Sequence, residues 1–67
     1  MIFSLILTAS EPDKLRTSLT EFTYLINKAE GQDLAPKILF INQSECGRDS
    51  LWHGMITIIY SAKRDIK

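Results

Sequence analysis

The sequence predicts a small α+β domain of order β-α-β-β, one helix packed on a three-stranded, mainly antiparallel sheet. Three observations predict it: one stretch with helical periodicity, three short segments rich in β-formers, and a length of only 67 residues. A second core would need roughly 50 further residues, so residues 1–67 read as one domain. At 45% hydrophobic content the chain is too apolar for a disordered one.

Ile2 to Thr8 (IFSLILT) reads as the first strand, being short and rich in β-formers. No Lys or Arg precedes it and the run is shorter than a signal core, so a strand is expected rather than a leader. The helix follows, over residues 11 to 30. Ser10 is placed to accept first-turn N–H groups, with Asp13 reaching back in a capping box. Pro12 sits where its missing N–H does no harm, and Glu11 and Asp13 complement the positive helix end. Leu15, Leu19, Phe22, Leu25, Ile26 and Ala29 recur every three or four residues, forming one apolar stripe. Gly31 is the expected C-terminal stop.

Gln32 to Pro36 reads as a loop, because proline drives the preceding residue toward extended backbone. Lys37 to Gln43 (KILFINQ) is the second strand and Leu51 to Ala62 (LWHGMITIIYSA) the third, with Gly54 marking a bulge near its start. The polar Ser44 to Ser50 (SECGRDS) turns the chain between them, which makes the last two strands an antiparallel hairpin.

This inventory excludes most chemistry. Eight Lys and Arg balance eight Asp and Glu, which argues against nucleic-acid binding by bulk charge. Cys46 is the only cysteine, so no intrachain disulfide forms, which suits a reducing cytoplasm. With one His besides, a four-ligand His/Cys zinc site is excluded. Cys46 and His53 invite a nucleophile-and-base reading, but no local motif accompanies them and the third group would be a guess between Glu45 and Asp49. Asn42-Gln43-Ser44 matches a glycosylation acceptor, which means nothing without a secretory signal. Phosphate loops, dinucleotide fingerprints and nucleophile elbows are missing from the sequence. The expectation is therefore a non-enzyme with no catalytic residues, no cofactor, no metal and no membrane span.

What the sequence has in excess is apolar sheet. Strand side chains alternate between faces, and one helix covers one face. Phe3, Leu5 and Leu7 oppose Ile2 and Ile6; Ile38 and Phe40 oppose Leu39 and Ile41; Ile56, Ile58 and Tyr60 oppose Met55 and Ile59. Either way about six large aliphatic side chains stay uncovered, more than a monomer's usual largest patch. At about 25 cal/mol per Å², covering them is worth several kcal/mol, comparable with the whole stability of so small a domain. A homodimer or a protein partner is expected to cover that face; the alternatives are that strand one or the C-terminal tail folds across it, or that a bulge breaks the alternation.

The candidate partner-binding residues are Tyr24, Leu39, Ile41, Arg48, Trp52 and His53. Tyr24 lies half a turn off the helical stripe and should point outward, where an aromatic either anchors a partner at small entropic cost or is an isolated surface Tyr lying over Lys28 and Thr20. Trp52 and His53 open the third strand beside the polar loop, where Trp52 either seals the core edge or serves recognition. Lys63, Arg64 and Lys67, with Lys37 and Arg48 on the hairpin, are the candidate nucleic-acid contacts. A solvated charged tail is the plainer account of them.

A first strand, an amphipathic helix, a strand, a polar loop and a last strand ending in Ile58-Ile59-Tyr60 form a plan that resembles a short sporulation-protein family of endospore formers, with relatives in phages. The chain departs from that family in its Ser-Glu-Pro helix start, its Cys-Gly-Arg-Asp loop and its lack of acidity. The resemblance implies the fold and supplies no catalytic residues. Small size and absent chemistry also suit a phage or mobile-element inhibitor that occludes a host defence protein. The expected function is thus a cytoplasmic protein-binding domain, with a small nucleic-acid-binding module as the alternative.

Overall fold

The structure, a computed structural model, describes residues 1–47 and 51–66. Its elements are β1 (Ile2–Ala9), α1 (Pro12–Gly31), β2 (Lys37–Cys46) and β3 (His53–Ser61), an α+β fold in β-α-β-β order. β3 is the central strand of a sheet ordered β1-β3-β2, and both of its pairings are antiparallel. The hairpin expected of the last two strands is present, with β1 on the other side of β3. Beyond the end of the ladder, the Met1 amino group donates to the Ala62 carbonyl at 3.1 Å and the Ala62 N–H to the Met1 carbonyl at 3.0 Å.

On β1 and β3 the expected alternation holds. Phe3, Leu5, Leu7 and Ala9 stand opposite Tyr60, Ile58, Ile56 and Gly54, all on the face under the helix. The helix meets them with Leu15, Phe22 and Ala29, buried residues seven apart on the predicted stripe. Tyr60 is the centre of this core. Its ring stacks on Phe3 at 5.3 Å and meets Phe22 at a tilted 5.6 Å.

Both helix ends differ from expectation. Glu11, not Ser10, is the N-cap, and it makes no side-chain cap bond. The Glu11 carboxylate lies instead 3.6 Å from the Lys14 ammonium. At the other end Gly31 is the last helical residue, and Asp33 takes the left-handed conformation at φ 60°. The Leu34 N–H then bonds the Ala29 carbonyl and the Asp33 N–H the Glu30 carbonyl, a Schellman motif closed over two buried apolar residues, Ala29 and Leu34. An aspartate does the work expected of glycine because its short polar side chain tolerates that backbone region.

The larger correction concerns β2. It runs three residues past the predicted Gln43, to Cys46, while β3 is shorter than predicted at both ends. Gly54 marks no bulge, since it pairs in register with both Ala9 and Glu45. The bulge lies in β2, where Ile38 pairs with Tyr60 and Phe40 with the next residue, Ile59, leaving Leu39 as the extra residue. Ile38 and Ile41 therefore share the helix side and Phe40 joins the opposite face, against the predicted pairing of Ile38 with Phe40. Gly54 is small for another reason: a Cβ there would strike the Trp52 ring and lie 2.8 Å from Leu15 Cδ2.

Candidate functional site

α1 lies over β1 and β3 and, among the described residues, does not reach β2. All ten residues of β2 are exposed. They include the apolar run Ile38, Leu39, Phe40 and Ile41, which stand 44%, 47%, 50% and 50% exposed. Because β2 is outermost in the sheet, one of its backbone edges carries no ladder among the described residues. The strand is thus open in three directions: above, below and sideways.

On the helix side, α1 and β2 flank a groove of about 260 Å³. Leu15 and Leu19 line one wall, Gln43 and Glu45 the other, with Ile56 and Trp52 between them. On the opposite face Phe40 joins Ile59 and Met55 of β3 and Ile2 and Ile6 of β1. That face is mixed, because Ser4, Thr8, Asn42, Ser44, Thr57 and Ser61 alternate with the apolar residues. Among the described residues the C-terminal tail does not cover it: Ile66 packs against the helix-side core.

Two predicted partner residues lie on β2 and a third beside the groove. Leu39 forms the bulge and Ile41 lies on the helix side of the sheet, while half-buried Trp52 packs on the core and lines the groove. Tyr24 is 66% exposed as expected, but it lies about 200° round the helix from Phe22 and so faces away from the sheet. His53 is exposed on the open face, across the ladder from Cys46. Arg48 and Lys67 lie outside the described residues. Lys63 and Arg64 are exposed beyond β3, and Arg64 edges a concavity of about 380 Å³ that also holds Lys28 and Asp65. Sequence reasoning did not single out Ile38, Phe40, Gln43 and Glu45 as site residues. Their signal is the strand order, which periodicity does not carry.

Cys46 is not in a loop; it ends β2, exposed and next to His53 in the ladder. Among the described residues, no group of three or more His, Cys, Asp or Glu is arranged to hold a metal ion. Tyr60 is displaced from its ordinary value. Burial raises its pKa above 10.0, and acceptance of its hydroxyl proton by Asp65 Oδ1 at 3.1 Å, then the Asp65 charge, raise it further. Tyr60 ties the tail to the core. No helix of the described residues is long and apolar enough to cross a membrane.

No family model, curated protein or solved structure matches the chain. The resemblance to the short sporulation-protein family therefore rests on the element pattern alone.

Proposed function

We propose that the chain is a non-enzymatic protein-binding domain whose docking element is β2. The observation that carries this reading is a ten-residue strand with four consecutive large apolar side chains, exposed along its full length. A monomer keeps such a strand exposed at a cost in solubility, and a free apolar edge is a template for another chain. Such a domain acts by occlusion, covering the surface of its partner, as a small phage or mobile-element inhibitor would cover a host defence protein. Affinity-tagged chain is the test: wild type and Lys63→Ala/Arg64→Ala should retain the same partner, and Leu39→Asp/Ile41→Asp should lose it.

A second reading is supported by the cations Lys28 and Arg64 beside one concavity, with Lys63 nearby in sequence. It makes the chain a nucleic-acid-binding module. Asp65 in the same concavity and the zero net charge weigh against it. Salt-dependent retention of single-stranded DNA or RNA, lost in Lys63→Ala/Arg64→Ala, would favour it over the first.

A further inference from the structure

We infer that the occupant of the β2 edge is the β2 of a second copy, paired antiparallel about a two-fold axis. The inference rests on reading β2 as the docking element and names its partner. Three features of the strand select a copy of itself.

The first is area. Four side chains about half exposed offer roughly 80–100 Å² each, taking about 150–250 Å² for a large side chain. That is about 350 Å² of apolar surface from one strand, well short of the roughly 800 Å² that each partner contributes to a stable interface. The occupant must therefore cover the free backbone edge of β2 as well as its side chains, which a second strand paired along it does.

The second is charge. Lys37 and Glu45 are the only charged residues of β2, and they lie toward its opposite ends. Antiparallel pairing centred on Ile41 brings the Lys37 end of one strand level with the Glu45 end of the other, at both ends of the interface. The Leu39 bulge turns Lys37 to the open face while Glu45 stays on the helix side, so the ends attract at a distance and form no contact pair. Parallel pairing would set like charges together. With eight charges of each sign, the chain raises no net repulsion against its copy.

The third is closure. β1 is the sheet's other edge, and its face under the helix is already packed. Pairing of β2 with the β1 of another molecule would be head-to-tail and would propagate into fibres. Pairing of β2 with β2 is isologous and stops at two, giving a six-stranded sheet ordered β1-β3-β2-β2-β3-β1. Both helices then lie on one face and flank a trough floored by two copies of Ile38 and Ile41.

Cys46, the sole cysteine, is exposed at the end of β2 and takes a nitroxide label without any substitution. Sedimentation equilibrium on the full chain should give twice the 7.6 kDa chain mass. Dipolar electron resonance should place the two labels roughly 34 Å apart, ten strand residues at about 3.4 Å each. Ile41→Lys should weaken self-association by about tenfold or more, the loss expected at a buried interface centre, with an unchanged circular dichroism spectrum. Ile6→Lys, on the open face of β1, should leave association intact. A monomer at every concentration overturns the inference, as does a dimer with labels within about 20 Å or one broken by Ile6→Lys alone. A monomer that still retains a partner lost in Leu39→Asp/Ile41→Asp would overturn the self-pairing and leave the protein-binding reading standing.

Discussion

β1 and β2 are both edge strands of one sheet, paired to the same central strand, and they have opposite fates. β1 alternates half-buried and exposed residues under α1, while β2 is exposed at every position. Composition does not separate them, since each carries four large aliphatic or aromatic side chains or more. Position does. A helix about 10–12 Å across spans roughly two strands set 4.8 Å apart. α1 sits over β1 and β3, and the third strand is left outside its reach. The lesson is that apolar character in a small domain marks what must be covered, without saying whether the chain itself does the covering.

Substitutions should read out this contrast. Phe22→Ala opens a cavity beside Tyr60 under the helix and should cost about 3–5 kcal/mol. A domain of this size holds only about 3–10 kcal/mol, so thermal unfolding followed by circular dichroism should show a midpoint lowered by about 12 °C or more. Gly54→Ala should cost about 1–3 kcal/mol, because the new methyl group displaces the Trp52 ring and presses Leu15. A red-shifted tryptophan emission should accompany it.

Tyr60→Phe removes the hydroxyl donated to Asp65 and should cost about 0.5–1.5 kcal/mol. The same variant tests the titration. Folding raises the Tyr60 pKa above the unfolded value of 10.0, so the folded state binds the proton more tightly. Its contribution is complete below pH 10 and is lost as pH rises from 10 through the folded value. Denaturant midpoints measured across pH 9–12 should fall more steeply in wild type than in Tyr60→Phe. Phe40→Lys on β2 should be the mildest, within about 0.5 kcal/mol in the isolated chain, because the site is already half in water. A stability loss there as large as that of Phe22→Ala would erase the contrast between the strands.

Much of this architecture was legible in the sequence. The helix is within one residue of its predicted span because the stripe from Leu15 to Ala29 and Pro12 in the first turn are local signals. β1 followed from a short run of β-formers, and the hairpin from a polar break between two such runs. Three features were not legible. The Asp33 cap depends on backbone that glycine usually supplies, so Gly31 drew the prediction. The extension of β2 to Cys46 depends on pairing with His53 and Gly54, and no property of Ser44, Glu45 or Cys46 announces it. The Leu39 bulge breaks alternation inside an unbroken run of apolar residues, where either phase satisfies the pattern. The candidate site inherits that limit: Leu39, Ile41 and Trp52 were found as apolar or aromatic residues. Phe40, Gln43 and Glu45 join them only through strand order and register.

Amide hydrogen exchange, resolved by residue in dilute and concentrated samples, compares the two strands most directly. The N–H groups of β1 and β3 in the ladder should be protected in both. The outward N–H groups of β2 should exchange rapidly when dilute and become protected when a second strand docks. Protection of the outward β2 N–H groups already in the dilute monomer would mean that the chain covers its own edge, and would contradict the account.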